Sequence, residues 1–117
     1  MRSFTEPLKE LAEFETIQRK MRKEKGMIQI AGCVNSQKTH LMYALGDGSK
    51  KKIIAVSSEG KAKEICEEYK FLDENVYYYP PKDLLFYQAD IRGKVLIQQR
   101  MSVIQAVLED EDVTVVT

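Results

Sequence analysis

Four short apolar runs alternate with segments of helical periodicity, and that order leaves few folds open to this chain. The runs are Met27-Ile28-Gln29-Ile30-Ala31, Ile53-Ile54-Ala55-Val56, Val76-Tyr77-Tyr78-Tyr79 and Val113 to Val116. Each is of strand length. Between the first two, Lys38 to Leu45 reads as a short helix ended by Gly46-Asp47-Gly48. Ser58 is placed to cap a second, where Ala62, Ile65, Cys66 and Tyr69 recur at helical spacing. Pro80-Pro81 stops the third strand, and Lys82 to about Arg92 reads as irregular. A last helix carries Ile97, Met101, Ile104 and Leu108 on one face. The acidic turn Glu109 to Asp112 leads into the fourth strand. Strands alternating with helices predict an α/β fold, a parallel sheet of about four strands with right-handed crossovers and flanking helices. The unbroken run Ile53 to Val56 predicts a strand buried on both faces.

A charged segment precedes this pattern. From about Glu6 to Lys25, Leu8, Leu11, Phe14 and Met21 form an apolar stripe, and Gly26 follows as a stop. Residues 1–25 therefore read as an N-terminal helix and 26–117 as the α/β part of a single domain. The chain ends in or just after a buried-type strand, so the expectation is a fragment of a longer polypeptide.

Composition excludes several classes. Lys+Arg and Asp+Glu are both 18, and zero net charge supplies no global field to draw the chain onto DNA or an anionic membrane. Cys33, Cys66 and the single histidine, His40, have no metal-site spacing, and two isolated thiols suit a reducing compartment. The N-terminus has no apolar signal region, and no apolar run approaches the roughly 20 residues that span a bilayer. A cytoplasmic protein is expected.

The main chemical signal follows the first run. Gly32-Cys33-Val34-Asn35-Ser36-Gln37-Lys38-Thr39 matches the phosphate-loop pattern G-x-x-x-x-G-K-[ST] except at its second glycine, which is Gln37. A working loop curls successive backbone N–H groups around a phosphate, and the helix start adds its positive dipole end. The glycine before the lysine permits backbone angles that a Cβ disfavours; forcing Gln37 into a left-handed conformation costs roughly 1–2 kcal/mol. Lys38 and Thr39 keep a cation and a magnesium-type hydroxyl. The loop reads as a phosphate site that has lost tight binding. The competing reading is an ordinary strand-to-helix turn with a chance lysine. A hydrolase also needs a carboxylate for magnesium, and Val113 to Val116 is followed by Thr117 without an Asp-Glu pair. No catalytic and no metal-ligating residue is expected.

The degenerate loop Gly32 to Thr39, the stretch Tyr79-Pro80-Pro81-Lys82-Asp83-Leu84-Leu85-Phe86-Tyr87, then Asp90-Ile91, Arg100 and Val113-Thr114-Val115-Val116-Thr117 together carry a likeness. Over about three quarters of its length the chain resembles the amino-terminal, UvrB-like domain of the transcription-repair coupling factor (Mfd). The resemblance implies a P-loop NTPase-like sheet. The full-length family is an ATP-dependent DNA translocase that displaces stalled RNA polymerase and recruits UvrA for nucleotide excision repair. It implies that ATP and magnesium belong to a downstream motor, with no cofactor in this segment. Its expected partners are neighbouring domains of the same chain, with UvrA, RNA polymerase and DNA engaged through the whole protein, and no membrane. UvrB is similar too, but it has an intact phosphate loop and a tyrosine-rich hairpin for which this chain has no room. The alternatives are a functional nucleotide-binding P-loop domain of a UvrB or helicase-type ATPase, and a generic α/β domain with an unrelated ligand at its strand ends.

Other residues have less specific readings. Tyr77 to Tyr79 suit base stacking but more often pack in a sheet. Phe86 and Tyr87 are candidates for contact with a neighbouring domain. Arg19, Lys20, Arg22, Lys23 and Lys25, with Lys50 to Lys52, suit phosphate contact or simply a solvated helix end and a charged turn. His40 is expected to be structural and Cys33 non-catalytic. Asp83 and Asp90 with Arg92 and Arg100 are candidates for an ion-pair network.

Overall fold

The structure, a computed structural model, describes residues 2–23, 25–47, 49–81, 89–109 and 112–117, with side chains for all of these except 2–4 and 89–93. The chain divides into two compact units, Met1–Asp47 and Gly48–Thr117.

The first unit is helical. Helix α1 spans Arg2–Lys9, α2 spans Ala12–Lys23 and α3 spans Asn35–Leu45. The single helix expected over Glu6 to Lys25 is thus two. At the break, the Leu11 N–H donates to the Leu8 carbonyl and the Phe14 N–H to the Leu11 carbonyl, both at 3.1 Å. These tight i to i+3 turns reset the helical phase. Of the predicted stripe only Phe14 is therefore fully buried; Leu8 is half-buried, and Leu11 and Met21 are exposed. Helix α1 packs against both α2 and α3, and among the described side chains of this unit Thr5, Phe14, Thr39 and Ala44 are buried.

Met27 to Ala31 is not a strand, which corrects the expected first strand. Its apolar side chains stand in solvent, Met27 at 97%. A strand is held by main-chain bonds to a neighbour, and apolar composition supplies none. Among the described residues no ladder includes this segment.

The second unit is mixed α/β. Strand β1 (Lys51–Ile54), helix α4 (Glu59–Lys70), strand β2 (Val76–Tyr78), helix α5 (Ala89–Glu109) and strand β3 (Val113–Val116) follow in order. The strands form a three-stranded, fully parallel sheet in the order β1-β3-β2. Thr114 lies level with Lys52 on one side and Val76 on the other; Val116 lies level with Ile54 and Tyr78. The ladders run past the strand ends: the Val56 N–H donates to the Thr117 carbonyl at 2.9 Å, and the Tyr79 N–H to the Val116 carbonyl at 2.8 Å.

The last strand in sequence is therefore the central one, and Val113, Thr114 and Val116 are wholly buried. Helix α4 lies on β2 and β3 and buries Ala62, Cys66 and Tyr69 at i, i+4 and i+7, as their spacing predicted. Full burial of a side chain of Tyr69's class contributes roughly 1.5–3 kcal/mol. Strand β1 departs from expectation. Its side chains alternate between exposed and half-buried, with Ile53 at 78%, because β1 is an edge strand. Helix α5 contacts β3 but turns inward a stripe other than the one its apolar spacing singles out. Val103 is buried and Leu96, Arg100 and Val107 are half-buried, whereas Ile97, Met101, Ile104 and Leu108 are exposed. Both sets have the same i, i+4, i+7, i+11 spacing, offset by one residue, so periodicity alone could not choose between them. Among the described residues no helix is long and apolar enough to cross a membrane.

Candidate phosphate loop

The loop at Gly32 to Thr39 belongs to the first unit. Gly32 has φ +88°, and no other described residue has positive φ. That angle is easy for glycine and costly for a residue with a Cβ. A Cβ added there would meet nothing within 4 Å, so the requirement is one of backbone conformation and not of space. The first glycine of the motif thus performs the turning role its position implies.

The second half of the motif departs from a working loop. Helix α3 begins at Asn35, three residues before the expected start at Lys38. Val34 is the N-cap, in extended conformation with φ −90° and ψ 164°. Asn35, Ser36 and Gln37 form the first helical turn, and the Lys38 N–H already donates to the Val34 carbonyl at 3.1 Å. Gln37 consequently bears no left-handed strain, which corrects the reading that its Cβ is forced into a costly conformation. Residues 35–37 are instead wound into the first turn of α3.

Valine has no oxygen with which to cap a helix. Gln37 compensates from the third helical position: its Oε1 accepts the Val34 N–H at 3.3 Å. This is one arm of a capping box, the arm that runs back from the N3 side chain. A backbone donor that a curled phosphate loop would aim at an anion is thereby satisfied within the protein. The first-turn amides of Asn35 to Gln37 remain directed away from the helix, as at any helix start. Lys38 is exposed. Thr39 is buried and engaged in an interaction of its own. The arrangement offers a single cation and a helix end, without a closed ring of amides. Gln at N3 was the sequence signal for this back-bond.

Phe86, Tyr87 and Asp83, and the side chains of Asp90 and Arg92, lie outside the described residues. Arg100, the last member of the expected ion-pair network, lies over the Tyr79 ring at 4.7 Å from its centroid. Lys63 lies 5.8 Å from the Tyr78 ring centroid and pairs with Glu59 at 3.0 Å. Burial, and then the Glu59 charge, push the Tyr78 phenol above its ordinary value. Tyr77, Tyr78 and Tyr79 are all half-buried. The basic residues of α2 are exposed, with Arg19 3.8 Å from Glu15. His40 is half-buried and engaged. Cys33 and Cys66 are free thiols, and burial raises the Cys66 pKa. Among the described residues no three His, Cys, Asp or Glu side chains come together to hold a metal ion.

No protein-family model, no curated protein and no solved structure matches the chain.

Proposed function

We propose that this chain is a non-catalytic interaction domain of a DNA-repair translocase, the amino-terminal UvrB-like domain of a transcription-repair coupling factor. In this reading it descends from a P-loop nucleotide-binding unit and has exchanged nucleotide binding for a scaffolding role. It works in the cytoplasm beside neighbouring domains of the same polypeptide. UvrA, RNA polymerase and DNA are engaged by the whole protein, and ATP and magnesium serve a motor elsewhere in it.

The observation that carries the proposal is the start of α3 at Asn35, with the Gln37 side chain holding the Val34 amide. A triphosphate would have to unwind that turn and displace that bond before the amides converged on it. The competing reading, a functional nucleotide site, is favoured by the positive φ of Gly32 and the exposure of Lys38. Titration calorimetry with ATP and magnesium separates the two. The proposal expects no binding heat at about 1 mM nucleotide, a ceiling that corresponds to roughly 4 kcal/mol of affinity. It expects gained binding, if any, in Gln37→Gly. Micromolar, magnesium-dependent affinity in the unmodified chain would overturn it.

A further inference from the structure

Helix α5 carries an apolar stripe that its own unit leaves in water. Ile97, Met101, Ile104 and Leu108 are between 43% and 78% exposed. Together they present on the order of 500 Å², near the upper end of what a monomer leaves in solvent. Their spacings are four, three and four residues, the alternation of a coiled-coil seam, over about 16 Å of helix. The helix buries a different stripe, through Val103, so the exposed one is not needed for its own fold.

We infer that this face pairs with the same face of a second copy of the chain, the two α5 helices running antiparallel about a two-fold axis beside Ser102 and Val103. Three features select that occupant. The four-three-four spacing reads identically in both directions. A two-fold therefore sets Ile97 against the second copy's Leu108 and Met101 against its Ile104, two layers formed twice, as an isologous interface requires. The positions flanking the seam on one side are Gln98 and Gln105, both exposed and neutral, so self-pairing brings no like charges together there. The stripe ends in opposite charges, Lys94 before it and Glu109 after it, both exposed. Antiparallel pairing places each Lys94 at the end where the second copy's Glu109 stands; parallel pairing would place like charge beside like.

The area sets the strength. About 500 Å² from each copy sums to the low end of specific interfaces, the size of weak, transient pairs, so the concentrations to test run from about 10 µM to 1 mM. Sedimentation equilibrium of the whole chain should show the mass rising from 13.5 kDa toward twice that value across this range. Ile104→Glu, at an exposed position, should weaken pairing at least about tenfold with an unchanged circular dichroism spectrum. Lys94→Glu should weaken it, and Lys94→Glu with Glu109→Lys should restore it. Orientation is read by mixing Gln98→Cys and Gln105→Cys chains in a Cys33→Ser background: the mixed disulfide should form in preference to either homodisulfide. A chain that stays monomeric to about 1 mM, a dimer indifferent to Ile104→Glu, or preferential 98–98 cross-linking would each overturn the inference.

Discussion

The two units solve the same problem, starting a helix after an extended segment, in opposite ways. In the sheet unit, Ser58 caps α4 with its own hydroxyl, which accepts the Lys61 N–H at 3.3 Å. In the first unit, Val34 has nothing to offer, and Gln37 reaches back to it. Each helix has one arm of a capping box: serine without a carboxylate or amide at N3, or an amide at N3 without serine. The surroundings differ as well. The segment before α4 comes off β1, whose neighbour β3 is the best buried of the three described strands. The segment before α3 is apolar and exposed. Flanking burial, and not local motif chemistry, separates the ordered sheet edge from the unpaired run.

Removing the anchor of the sheet unit should have the largest effect. Tyr69→Ala should lower its stability by about 3–5 kcal/mol, the cost of deleting a large buried aromatic. Hydrogen exchange should show lost protection at the sheet amides of Val113, Thr114 and Thr117, with the α3 amide of Lys38 unchanged. Equal loss at Lys38 would show that the two units melt together. Next comes Gly32→Ala, which should cost about 1–2 kcal/mol in the first unit through its φ of +88° alone. Urea unfolding followed by the α3 signal checks it. Thr114 offers a change of the other sign. Its Oγ1 is buried with no hydrogen-bond partner among the described residues, so Thr114→Val should stabilise the sheet unit by about 1 kcal/mol in thermal melts.

The two caps then give a paired test. Ser58→Ala should cost about 1 kcal/mol, whereas Val34→Ser should add about 0.5–1 kcal/mol by completing the box that Gln37 has half built. A loss on Val34→Ser would mean that its exposed side chain has a role beyond capping. The smallest effect is alkaline. The Cys66 and Tyr78 groups ordinarily ionise near 9.0 and 10.0, and burial raises both in the folded chain. Raised pKa values in the folded state favour the protonated forms. Their stabilising contribution is complete below the unfolded values and is lost as pH rises through the folded ones. The sheet unit should therefore weaken above about pH 9, and Cys66→Ala should remove part of that loss in melts at successive pH values.

Local order was legible wherever the pattern admitted one answer. The Ser58 cap, the face of α4 and the extents of β2 and β3 followed from residue type and spacing, because a period of two or 3.6 ties each side chain to a side. Besides the first strand, which did not form at Met27 to Ala31, four points escaped that reading. The break at Glu10 and Leu11 contains neither glycine nor proline. The start of α3 moved three residues because Gln37 could satisfy an amide that glycine would have left open. Strand β1 became an edge, and α5 had two equally spaced stripes.

Composition and periodicity thus established the segments that become α4, α5, β2 and β3, and that the sheet is parallel. Those follow from backbone sterics and from alternation of polarity, which are properties of a few neighbouring residues. Which strand lies in the centre, which stripe of α5 is wet, and whether Met27 to Ala31 finds a ladder were decided by pairing between segments far apart in the chain. Main-chain donors and acceptors are identical along any extended run, so polarity can nominate a strand but cannot name its neighbour.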